Sequence, residues 1–95
     1  MSQLPTLTVI TYDVSRDGPR NKVAAMLEKT MTRVQVRVFE GYLSQADIKA
    51  LATRLELELD EGDSVRIYAV TAAGRAKSLV LGQLAMSEPG DFWLV

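Results

Sequence analysis

At 95 residues and 47% hydrophobic content, the chain has room for one domain with a modest core. It contains no cysteine and no histidine, which excludes disulfides, thiolate chemistry, a histidine general base and an imidazole-held metal; a bound metal has to be held by oxygen, as magnesium, manganese or calcium are. The net charge of −1 does not announce a nucleic-acid binder, no apolar run approaches the ~18 residues of a membrane span, and Met1-Ser2-Gln3-Leu4-Pro5 lacks the features of a secretion signal, so a cytoplasmic protein is expected.

The first predicted strand is about Leu7–Val14. A turn follows, in which Ser15 or Asp17 can cap a helix and Pro19 suits the first helical position. The helix, about Pro19–Lys29, places Val23, Met26, Leu27 and Thr30 on one stripe. A second strand, about Arg33–Tyr42, alternates: Val34, Val36 and Val38 share one face, and Arg33, Gln35, Arg37 and Phe39 the other. A bend near Gly41 would let this long run supply both arms of a hairpin.

Ser44 then caps a second helix, with Asp47 placed as in a capping box and Ile48, Leu51, Ala52, Leu55 and Leu59 forming the buried stripe. The acidic run Asp60-Glu61-Gly62-Asp63 ends it. The next strand is about Ser64–Val70, followed by a turn at Thr71–Gly74. Arg75–Gln83 reads as a further strand, and Asp91–Val95, after the Pro89-Gly90 turn, as a short last one.

This order predicts an α+β fold: a ferredoxin-like βαββαβ arrangement over residues 1–95, with an antiparallel sheet, both helices on one face and an extra C-terminal strand. The strands at 7–14 and 64–70 are apolar on both parities, so both faces of the sheet should be covered. Two helices cover one. Either a second copy of the chain or the folded-back C-terminal strands cover the other. On this reading Phe39 anchors a dimer interface, and Trp93, too large to leave bare, docks with Phe92 in the last strand.

Charge is unevenly spread. Residues 16–37 carry Arg16, Arg20, Lys22, Lys29, Arg33 and Arg37 against Asp17 and Glu28, a net of +4, whereas residues 40–63 carry a net of −5. The basic part lies beside Asp13 and can steer a phosphate backbone, with Arg16, Arg20, Arg33 and Arg37 as candidate phosphate contacts; a solvated surface role remains the alternative for each. Asp13, at the C-terminal end of an apolar strand, is either a ligand for a hard metal ion or a strand-end carboxylate accepting turn N–H groups. Tyr12 reads as a packing residue, and Ser15 and Asp17 as caps or outer ligands.

Three segments, Val9-Ile10-Thr11-Tyr12-Asp13-Val14-Ser15-Arg16-Asp17, the Arg-Val-Gln and Val-Phe-Glu-Gly run at 33–41, and Asp63-Ser64-Val65-Arg66-Ile67-Tyr68, resemble the small CRISPR-associated adaptation proteins, the Cas-two family. The resemblance runs over nearly the whole chain, although Thr30-Met31-Thr32 stands where members commonly carry Tyr-Gly. It implies a homodimer with facing sheets that bridges dimers of the CRISPR integrase and holds incoming duplex DNA. It also implies that residues at about 85–95 cross to the partner's sheet. Finally, it implies that Asp13 is a magnesium (or manganese) ligand near the two-fold axis and the catalytic residue of a metal-dependent endonuclease acting on single-stranded RNA or on DNA. Outside the family, a toxin-type ferredoxin-like ribonuclease or a non-catalytic interaction domain would fit the same pattern.

Overall fold

The computed structural model describes residues 4–82, which run β1 (Thr6–Asp13), α1 (Asp17–Glu28), β2 (Thr32–Gln35), β3 (Val38–Leu43), α2 (Gln45–Glu56), β4 (Ser64–Val70) and α3 (Ala72–Ala76). The sheet order is β2-β3-β1-β4 and every neighbouring pair is antiparallel. This is the ferredoxin-like arrangement expected, with β2 and β4 as edges. The expected last strand, with Phe92 and Trp93, lies outside the described residues.

Strand parity decides which residues enter the core. Ile10 and Tyr12 of β1 lie opposite Phe39 and Val65 in the register, and with Val14 they face Val23 and Leu27 of α1 and Leu51 and Leu55 of α2. Phe39, Ile10, Leu27, Leu55, Val14 and Val23 are fully buried; truncating a buried phenylalanine such as Phe39 to alanine costs about 3–5 kcal/mol. Thr8 shares this face and is also fully buried, its hydroxyl donating to the Thr6 carbonyl at 2.8 Å and so satisfied.

The other face of β1, with Leu7, Val9, Thr11 and Asp13, is paired to Tyr42, Glu40 and Val38 of β3 and to Val70, Tyr68, Arg66 and Ser64 of β4. None of α1, α2 or the core cluster covers it. Leu7 is buried and Tyr68 is half exposed, so this open face is apolar at one end and carries Asp13 at the other.

Four expectations are corrected. The run 33–42 is not one strand bent near Gly41: the chain reverses at Val36-Arg37, and β2 and β3 pair with a register irregularity between Arg33 and Gln35. Gly41 serves a different purpose. A Cβ there would stand 3.1 Å from the Thr30 carbonyl oxygen and 3.2 Å from Met31 Cα, so glycine lets β3 pass close to the α1–β2 connection. Phe39 does share a face with Arg33, but that face is the core; with no exposed surface of its own, Phe39 cannot anchor a dimer. Finally, Ala72–Ala76 is a short helix where a turn followed by a strand from Arg75 is expected, and residues 75–82 form no strand. Thr71 Oγ1 accepts from the Gly74 N–H at 3.0 Å and the Arg75 N–H bonds back to the Thr71 carbonyl at 2.8 Å, a cap-and-turn geometry incompatible with an extended chain.

The helices otherwise follow their patterns. Ser44 caps α2 by accepting from the Asp47 N–H at 3.1 Å. Helix α1 starts at Asp17 after Arg16, with no side-chain cap, because Ser15 is used elsewhere; Pro19 sits in its first turn, where a missing N–H costs nothing.

Candidate nucleic-acid interface

Asp13 is the last residue of β1, on the open face, with its side chain 78% exposed. Its Oδ1 stands 3.6 Å from Nη1 of Arg37. Arg37 is held there by the backbone: its carbonyl accepts the Tyr12 N–H at 3.2 Å, so the β2–β3 turn is stitched to the end of β1. Tyr12 points the opposite way, into the core, its ring stacked 6.2 Å from that of Phe39. It is the packing residue expected.

Three of the four candidate phosphate-binding arginines converge. Arg20 from α1, Arg33 from β2 and Arg37 from the turn line one cleft of about 290 Å³, together with Tyr12, Asn21 and Val36. The guanidiniums of Arg20 and Arg33 are each positioned by more than one contact. Arg20 donates to the Val14 and Ser15 carbonyls at 3.3 Å and to Asp17. Arg33 donates to Glu28 at 3.1 Å and to the Val36 carbonyl, and lies 4.9 Å over the Phe39 ring.

Arg16 does not join them. It turns toward the α2–β4 connection and pairs with Asp60 at 3.2 Å, while Lys22 reaches Glu58 at 4.0 Å. The two oppositely charged segments thus partly neutralise each other inside the fold, although such exposed pairs contribute only about 0–1 kcal/mol each. The sequence showed the charge asymmetry but not this pairing, which depends on the packing of α1 beside the end of α2.

Asp63 is the residue that reading the sequence passed over. Its Oδ1 accepts from both the N–H and the hydroxyl of Ser15, at 3.1 and 3.2 Å, and its Oδ2 from the Asp60 N–H at 2.9 Å. These bonds, that from Asp60 first, hold its carboxyl below the usual aspartate range. Gly62 makes the turn possible: it has φ +90° as the third residue of an Asp60–Asp63 turn closed by an N–H to carbonyl bond of 3.0 Å. The turn fixes Ser15 and therefore the path of the chain just after Asp13. Ser15 and Asp17 are accordingly a structural anchor and an Arg20 partner.

Among the described residues no three acidic side chains gather as a metal site. Asp13 offers one exposed, hard oxygen donor beside a cation. That suits an ion which keeps most of its waters and shares a phosphate, and it falls short of a closed site within one chain.

The profile of the family described as CRISPR associated protein Cas2 matches residues 6–78. A Synechocystis protein named CRISPR-associated endoribonuclease Cas2 2 is 36% identical over 90 residues, covering 92% of this chain and 96% of the relative. The crystal structure of a hypothetical protein from Thermus thermophilus superposes with a TM-score of 0.74 at 35% identity, covering 86% of this chain and 99% of that one. A chain of a partial Cas6-RT-Cas1–Cas2 complex superposes with a TM-score of 0.70 at 27% identity, covering 80% and 90%.

Proposed function

Because the chain belongs to the Cas2 family of CRISPR-associated proteins, we propose that it acts in CRISPR adaptation as a dimeric adaptor, holding DNA for a Cas1 integrase. The observation that carries this reading is the convergence of Arg20, Arg33 and Arg37 next to Asp13 at one end of the sheet, which offers bidentate donors for phosphates in a cleft whose one aromatic lining residue, Tyr12, is buried. The open sheet face, with Val9 and Tyr68 partly or half exposed, is the surface a second copy would cover. Residues 91–95 would add to the partner's sheet. A Cas1–Cas2 assembly among the structural relatives supports the integrase as partner. The toxin-type alternative has no comparable support.

A second reading is a metal-dependent nuclease acting on RNA or DNA, favoured by the exposed Asp13 carboxylate and by the endoribonuclease named among the relatives. Two Asp13 side chains, one per copy, would hold a magnesium or manganese ion. Such an ion polarises a phosphoryl oxygen and lowers the pKa of bound water. Arg37 and its neighbours would orient the phosphate and offset its charge. No histidine exists to serve as general base, so this chain's own residues contribute binding and orientation more than proton transfer.

The deciding experiment is an integration assay with the partner integrase, comparing wild type with Asp13→Ala. Integration by both supports the adaptor. Loss of integration with dimer and complex intact promotes the nuclease.

A further inference from the structure

We infer that the cleft between α1 and the β2–β3 turn receives the terminal phosphate of a single nucleic-acid strand. The inference deepens the nucleic-acid reading above and rests on it. At about 290 Å³ the cleft lies just below the roughly 300–1,000 Å³ of small-molecule sites, a size that suits one phosphate with its sugar.

Its walls favour phosphate over base. The nearby rings, Tyr12 and Phe39, are 6% and 0% exposed and leave no face for a base to stack on. What the cleft presents is three guanidiniums and the Asn21 amide. Each arginine already has a carboxylate partner, but the two members of each pair are unequally sheltered. Arg20, Arg33 and Arg37 are 29, 39 and 48% exposed; Asp17, Glu28 and Asp13 are 86, 55 and 78% exposed. The carboxylates stand out in water, where their hold is weak. None of the three carboxylates lines the cleft, whereas all three arginines do.

The charge match selects an end. A phosphomonoester carries about −1.5 to −2 charge at neutral pH, against −1 for an internal diester, and is the better counterpart to several converging guanidiniums. Arg37 belongs both to the cleft and to the Asp13 pair. A strand end seated in the cleft is therefore coupled to the state of Asp13.

The test measures fluorescence anisotropy of a 3′-labelled single-stranded oligonucleotide, 5′-phosphorylated or 5′-hydroxyl, against the full chain. A charge-assisted contact set of this kind should make the phosphorylated strand bind about tenfold tighter. Adenosine 5′-monophosphate should compete, and adenosine should not. Asn21→Trp, at an exposed position on the cleft's rim, and Arg37→Gln should each erase the preference for the phosphorylated end. Arg54→Gln, which removes the same charge from α2, should keep it. Equal affinity for the two ends overturns the inference while leaving sequence-independent binding in place. So does a preference that survives both Asn21→Trp and Arg37→Gln. Absence of binding to either strand overturns the nucleic-acid reading along with it.

Discussion

Arg37 Nη1 lies 3.6 Å from Asp13 Oδ1, so the carboxylate proposed as a metal ligand is already paired with a cation of the same chain. An incoming ion must share or displace that partner. Arg37→Gln should therefore tighten manganese binding about two- to fivefold, the equivalent of an exposed ion pair. Titration followed by paramagnetic broadening of the Asp13 region would read this out. Unchanged or weaker binding would place the ion elsewhere.

Asp13→Asn preserves shape and removes charge. Cleavage, where wild type shows it, should vanish, while dimer formation survives. Cleavage by purified Asp13→Asn protein at the wild-type rate would remove this residue from the chemistry.

Replacing Arg20 and Arg37 together should weaken binding of unrelated duplexes alike and flatten the dependence on salt, because each lost phosphate contact releases fewer counterions. Arg16→Gln, on a side chain committed to Asp60 away from the cleft, should do less. A double variant with an unchanged salt slope would contradict the backbone-contact picture.

Asp63 gives stability a pH signature. Its carboxyl is lowered in the folded chain from the ordinary 3.8 by the Asp60 and Ser15 bonds. The ionised form is thus favoured by folding. Its contribution is fully present above the unfolded value and is lost as pH falls through the lower, folded one. Urea midpoints should drop more steeply below pH 3.8 in wild type than in Asp63→Asn. Parallel profiles would assign these bonds no role in stability.

Gly41→Ala should destabilise the chain by about 1–3 kcal/mol, since the new methyl meets the Thr30 carbonyl oxygen and the Met31 Cα at 3.1 and 3.2 Å and the α1–β2 connection has to shift to admit it. A melting temperature within a degree of wild type would show that the α1–β2 connection gives way freely.

Much of this fold is legible in the sequence because its elements have clean periods. Ser64–Val70 is bounded by an acidic turn and a threonine cap and appears as read. Ser44 caps α2 as its spacing to Asp47 suggests. The β2–β3 reversal is hidden for a physical reason. Val36-Arg37 contains no glycine, proline or asparagine, and the valines at 34, 36 and 38 keep alternating straight through the turn. Gly41 drew attention as a bend when its glycine is needed for close approach. Phe39 was misplaced for the same reason, since a face inferred from an unbroken strand loses its meaning once the strand folds back. In the site, Asp13 stands out by position, but the meeting of Arg20, Arg33 and Arg37 is a product of tertiary packing that no local pattern encodes.

The two edges of the sheet are unlike. The β2 edge is four residues long, irregular in register and carries Arg33 and Gln35. The β4 edge is seven residues long and, among the described residues, pairs with β1 alone. Short, charged and kinked edges repel a visiting strand, whereas long regular ones template it. Among the described residues the sheet thus favours extension past β4 over extension past β2, so an assembly built by adding strands would grow preferentially from one side.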